Sequence, residues 1–208
     1  MKMEPVDVVK KWVWCGVEDL YFAFCIEYNP HRSYALFAEI MGLEKILKSY
    51  LLFKNGNKYS SLSMAEAQEI IECLVKKWGH SIERMLKETS QLLDNDTIKI
   101  IKDKNYDGYT GRDLVKAIEA GYMESRYPVA RPIYKQFKKK GVDLYYDPLE
   151  SSGITKFIYE ICRTILIQLK TEIDLAPIGS DFIKVYGSRE STQRFINLIF
   201  NADIKKYL

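Results

Sequence analysis

Twenty residues past the middle of the chain, GYMESRYPVARPIYKQFKKK (121–140), concentrate the groups best suited to gripping a phosphodiester. Arg126, Arg131, Lys135, Lys138, Lys139 and Lys140 stand against Glu124 alone, a net charge of +5. Guanidinium forks take phosphate oxygens bidentately. Tyr122, Tyr127, Tyr134 and Phe137, interleaved with the charges, offer rings on which unpaired bases stack. Binding of this kind releases counterions and weakens as salt rises. A solvated lysine cluster beside core tyrosines has the same composition, so the segment alone leaves both readings open. Arg126, Tyr127, Arg131 and Lys135 are its candidate binding residues.

Other reactive groups are sparse. The chain has two histidines, His31 and His80, which limits imidazole chemistry. His80 follows Gly79 at a helix junction, where a capping or interhelical hydrogen bond is the expected role. Glu44 and Lys48 have the favourable i, i+4 order for a surface ion pair worth about 0.3–0.5 kcal/mol. Lys45 lies three residues before Lys48 on the same helix. His80, Lys45 and Lys48 are secondary site candidates. Cys15, Cys25, Cys73 and Cys162 are scattered, with no CxxC and no His at metal spacing, and are expected as reduced, mostly buried thiols. With no Gly-rich phosphate loop and no HExxH, neither a metal nor a cofactor is expected.

The elements that must position these groups read as helices. Apolar residues recur at helical spacing for most of the length, without sustained alternation. The first helix starts after Pro5 and runs to about Glu27 on a stripe of Val6, Val9, Val13, Val17, Leu20 and Phe24. Trp12, Trp14, Phe22 and Ile26 make it apolar nearly all round, so burial on more than one side is expected. Asn29-Pro30 reads as a cap opening a second helix, with Tyr34, Phe37, Ala38, Met41, Ile46, Leu47, Tyr50 and Leu51 inward. Ser63 and Glu66 form a capping box for a third helix, which ends at Gly79. Ser81 caps a short fourth helix carrying Ile82, Met85 and Leu86. Residues 94–110 read as a long polar connection, after which Thr110 and Asp113 start another helix.

Pro128 and Pro132 interrupt regular structure, and 138–153 reads as irregular. The clearest helix follows, with Ile154, Phe157, Ile158, Ile161, Cys162, Ile165, Leu166 and Leu169 at i, i+3, i+4, i+7. Pro177-Ile178-Gly179 reads as a break before a last helix near 190–200.

The chain's 208 residues and 24.3 kDa suit one domain. Its 47% hydrophobic content supports a sizeable core and excludes a disordered chain. A net charge of +3 excludes a histone-like polyelectrolyte. No secretory signal and no apolar run of membrane-spanning length are seen, so a cytoplasmic protein with no membrane contact is expected.

Three of these pieces, in this order, resemble the HEPN domain (higher eukaryotes and prokaryotes nucleotide-binding). Glu44-Lys45-Ile46-Leu47-Lys48 looks like the family's EKxLK segment. Gly79-His80 precedes a short apolar helix, Ser81–Leu86. Tyr122 with Ser125-Arg126-Tyr127-Pro128 looks like the (A/S)RYP element ahead of a long amphipathic helix. The resemblance spans residues 8–172, with insertions near 94–110 and 138–153. It implies a helical bundle, commonly a homodimer, that binds or cuts RNA or nucleotides, sometimes beside a nucleotidyltransferase in defence or toxin–antitoxin pairs. Many members are ribonucleases using an Arg-x(4–6)-His pair; here no His follows Arg126, or indeed follows His80 anywhere.

The expected protein is therefore all-α, an up-down bundle of about five core helices over residues 1–172. A C-terminal helical extension, 173–208, packs on the same domain. Its expected activity is to bind RNA or a nucleotide without the usual nuclease centre. A ribonuclease with a rearranged centre and an interaction subunit of a nucleotidyltransferase are the alternatives.

Overall fold

The computed structural model describes residues 4–26, 32–93, 97–126 and 152–200, except the side chains of 32–33 and 120–126. The described residues form an all-α bundle of nine α-helices with one two-stranded ribbon. α1 (Pro5–Ile26) and α2 (Arg32–Lys54) make the longest helix pair, followed by α3 (Met64–Trp78), α4 (Ile82–Leu92), α5 (Thr97–Asp103) and α6 (Gly111–Arg126). α7 (Ser152–Glu172), α8 (Ala176–Tyr186) and α9 (Glu190–Phe200) complete the order.

α2 is the central helix, packed on α1, α3, α4, α6 and α7. Its apolar residues run all round, as burial on every side requires. Leu43, Ile46, Leu47, Tyr50, Leu51 and Leu52 are fully buried. α1 and α2 come into close backbone contact where Gly16 meets Gly42. A β-carbon on Gly42 would lie 2.6 Å from Leu20 Cγ and 2.9 Å from the Gly16 carbonyl, so only hydrogen fits there.

The capping signals form as the spacing predicts. Ser63 Oγ accepts from the Glu66 N–H while the Glu66 carboxylate accepts from the Ser63 N–H at 3.0 Å. Ser81 Oγ accepts from the Arg84 N–H at 3.2 Å. Thr110 and Asp113 exchange the same kind of contacts at the start of α6. All eight stripe residues of α7 are buried.

Several expectations fail. The polar stretch 94–110 contains α5 and a β-hairpin, β1 (Asn105–Tyr106) with β2 (Tyr109–Thr110), paired Tyr106 to Tyr109. Asp107 and Gly108 take φ of 53° and 97° in its turn, the left-handed pair that a two-residue hairpin demands. Pro177 stands in the first turn of α8 and opens that helix instead of breaking the chain, because a first-turn proline lacks only an N–H that would be unpaired anyway. Tyr34, expected inward, is 60% exposed, and Phe22, one of the residues that make α1 apolar nearly all round, is 57% exposed. Cys15, Cys25 and Cys73 are exposed and only Cys162 is buried, since the first three fall on outward helix faces. The Asn29-Pro30 cap, the Pro128–Pro132 interruption and the irregular stretch up to 151 lie outside the described residues.

α1 is buried on a second side by α8 and α9. Tyr21 packs edge-on to Phe182 at 5.1 Å between ring centroids and lies 5.1 Å from Phe195. Tyr21 Oη and Thr192 Oγ1 are 2.8 Å apart, and Tyr186 donates to Glu18 at 2.8 Å. Among the described residues no helix is long and apolar enough to cross a membrane.

Candidate functional site

Because α2 is packed on five helices, charges in the middle of it can be enclosed. Glu44 and Lys48 sit one turn apart on the face toward α1 and the α3–α4 junction, each side chain only 4% exposed. Lys48 Nζ donates to Glu44 Oε1 at 2.7 Å. The expected surface ion pair is therefore a buried one. The i, i+4 spacing is as read; the burial comes from neighbours that spacing does not report.

The junction supplies the third member. α3 ends at Gly79, whose N–H reaches the Val75 carbonyl, and α4 begins at the Ser81 cap. Between them His80 Nδ1 stands 3.1 and 3.0 Å from the two oxygens of Glu44. An ionised carboxylate has no proton to give, so Nδ1 carries the hydrogen and donates it. The imidazole keeps 54% of its side-chain surface exposed while its anchor is buried. The interhelical hydrogen bond expected of His80 is what forms.

Lys45 pairs with Asp19 on α1 at 2.6 Å, each side chain 26% exposed. Burial pushes the Asp19 carboxyl above its ordinary range, with the Lys45 ammonium opposing that rise. Trp12 closes the α1 side, its ring centroid 5.9 Å from Lys48 Nζ. Lys48 thus lies between a carboxylate and an aromatic ring, in salt-bridge and cation–π contact.

α6 joins the same junction. Glu119 Oε1 accepts from Ser81 Oγ at 3.1 Å and from the Glu83 N–H at 2.7 Å. Position 126, where α6 ends, lies seven residues on, two turns or about 10 Å along the axis on the same face. The helix that leads into the basic segment is thereby tied to the junction carrying His80. The Arg126 side chain and all of Tyr127, Arg131 and Lys135 lie outside the described residues. Lys45, Lys48 and His80 come together around Glu44 and Asp19, two residues that were not singled out as the hub. A partial signal was in the sequence: Glu44 and Lys48 fall on a helix with apolar residues on every face, although only the packing shows which charges are enclosed.

This arrangement suits proton transfer or anion contact at the imidazole, with Glu44 orienting the ring. Among the described residues no group of three His, Cys, Asp or Glu side chains is placed to hold a metal ion. Comparisons of the chain with protein-family models, with curated proteins and with solved structures return no match.

Proposed function

We propose that the chain is an RNA- or nucleotide-binding HEPN-like helical bundle that lacks the family's Arg-x(4–6)-His centre. It binds through Arg126, Tyr127, Arg131 and Lys135 and serves in a defence or toxin–antitoxin-type system. The +5, tyrosine-interleaved composition of 121–140 carries this reading. Two further observations support it. The fold is an all-α bundle, and α6, which ends at Arg126, is hydrogen-bonded through Glu119 to the junction holding His80. Phosphate contacts by the arginines supply affinity and the tyrosines stack unpaired bases.

The test is a salt-titrated binding measurement with single-stranded RNA. Affinity is expected to fall steeply with salt, and Arg126→Ala to weaken binding by about 1–3 kcal/mol. No binding at low salt, or indifference to Arg126→Ala, would sink the proposal.

A second reading, a metal-independent ribonuclease, is favoured by one observation. His80 is a half-exposed imidazole held by a buried carboxylate, as a proton-transfer group must be. Incubation with total RNA separates the two: cleavage lost in His80→Ala while RNA binding persists supports the enzyme. The resemblance adds a homodimer and a nucleotidyltransferase partner to the proposal; light scattering and co-purification report on each.

A further inference from the structure

α1 and α3 do not close fully against each other. A cavity of about 350 Å³ opens between them, within the range of roughly 300–1,000 Å³ typical of small-molecule sites. Its walls are Val8, Ile71 and Val75 with the half-buried ring of Trp12. Its rim is polar: Gln68, Glu72, Lys11 and Lys76. A partly open, apolar-walled cavity containing an indole suits a heteroaromatic ring, because stacking on Trp is tolerant of the ring's identity. The two lysines outnumber the single carboxylate, so the rim favours a ligand that also bears negative charge.

The rim also discriminates among rings. Gln68 Nε2 donates to Glu72 Oε1 at 3.1 Å, which fixes the amide beside the carboxylate on adjacent turns of α3. Glu72 only accepts, while the amide retains a second N–H to donate. Guanine presents two neighbouring N–H donors, N1–H and the 2-amino group, beside the acceptor O6. Adenine's edge offers one donor next to a bare ring nitrogen. Lys76 Nζ stands 3.7 Å from the other Glu72 oxygen on the exposed rim. Lys11 projects from the opposite helix.

We propose that this α1–α3 cavity binds a guanine mononucleotide, with the base between Trp12 and the valine–isoleucine wall. Glu72 and Gln68 read the base edge, and Lys11, on the opposite helix, takes the phosphate. No described lining residue belongs to 121–140, and the proposal does not rest on RNA binding there. Because the Trp12 ring also covers Lys48, the ligand adjoins the Glu44–Lys48–His80 cluster through one side chain.

Calorimetric titration of the full chain with guanosine and adenosine 5′-monophosphates tests the proposal. Saturable sub-millimolar binding of the guanine nucleotide is expected, weaker by roughly tenfold for adenine and in Glu72→Gln, as loss of one charge-assisted hydrogen bond implies. Val75→Trp, which fills the cavity, abolishes it with the helical circular dichroism retained; should that variant misfold, the exposed Lys11→Glu serves in its place. The exposed Lys184→Ala, outside the cavity, leaves it unchanged. No binding of either nucleotide, equal binding of both, or loss on Arg126→Ala but not on Glu72→Gln would overturn it. The last outcome would leave the RNA reading standing.

Discussion

At the scale of single residues, the most costly arrangement is the buried pair Glu44–Lys48. Taking two charges out of water is repaid only while both are present and fully bonded. Glu44 meets this condition with Lys48 on one oxygen and His80 across both. Lys48→Met is therefore expected to lower unfolding free energy by about 3–5 kcal/mol, because a buried carboxylate loses its ammonium. Adding Glu44→Gln should restore much of that loss, since the pair then becomes neutral together. Denaturant titration of the two variants measures the difference.

Tyrosines give a second residue-level outcome. Burial pushes Tyr50 and Tyr59 up to about 12, and burial together with the Glu18 carboxylate does the same for Tyr186. Their folded-state values lie above the unfolded value of 10.0, so the folded state holds these protons more tightly. That stabilisation is complete below pH 10 and is lost as pH rises toward 12. Melting temperature should fall across this window. Tyr59, whose hydroxyl donates to the Leu52 carbonyl at 3.0 Å, contributes part of the slope. In Tyr59→Phe the fall should be shallower, with a matching loss of phenolate absorbance.

At the scale of elements, the α1–α2 crossing depends on two glycines. Gly42→Ala places a methyl group inside van der Waals distance of Leu20 and the Gly16 carbonyl, and the helices must part to admit it. A loss of about 1–3 kcal/mol is expected from such overpacking. Gly179, in α8, has nothing within 4 Å of the same position, so Gly179→Ala should leave the melting temperature unchanged or raise it. Thermal melts of both compare crowding with backbone freedom at the same substitution.

The elements themselves were unevenly legible. Ser63, Glu66 and Ser81 marked helix starts because capping is local chemistry, settled within one turn. The α7 stripe was plain because eight buried residues repeat at one period. By contrast, Asp107-Gly108 passed unnoticed inside a polar stretch, although that dipeptide is a strong short-range hairpin signal. Two-residue strands are too short to show any alternation. Pro177 carries one local preference that suits both a break and a helix start; only the residues after it decide which.

At the scale of the whole molecule, one continuous core runs from Val9 on α1 to Phe200 on α9. The C-terminal helices are joined to it by an aromatic cluster in which Phe182 lies 5.6 Å from Trp14 and 4.5 Å from Tyr186 between centroids. Phe182, fully buried, fills the seam between α1 and α8. Phe182→Ala is expected to cost about 3–5 kcal/mol and to unfold α1 and the C-terminal helices together, in a single transition by circular dichroism and tryptophan fluorescence.

Helical class, the caps and the α7 face were determined by the sequence alone, because periodicity and capping act over a few residues and survive without knowledge of neighbours. The +5 density of 121–140 is likewise a property of composition. What only the tertiary structure decided is burial, and with it the site. Glu44, Lys48 and His80 are 36 residues apart at their widest, and their spacing in the chain is that of a surface pair and a junction. They become one cluster, with Glu44 and Lys48 enclosed and His80 half-exposed, because α2 is packed among five helices, and the free energy of a charge depends on its surroundings far more than on its position in the chain.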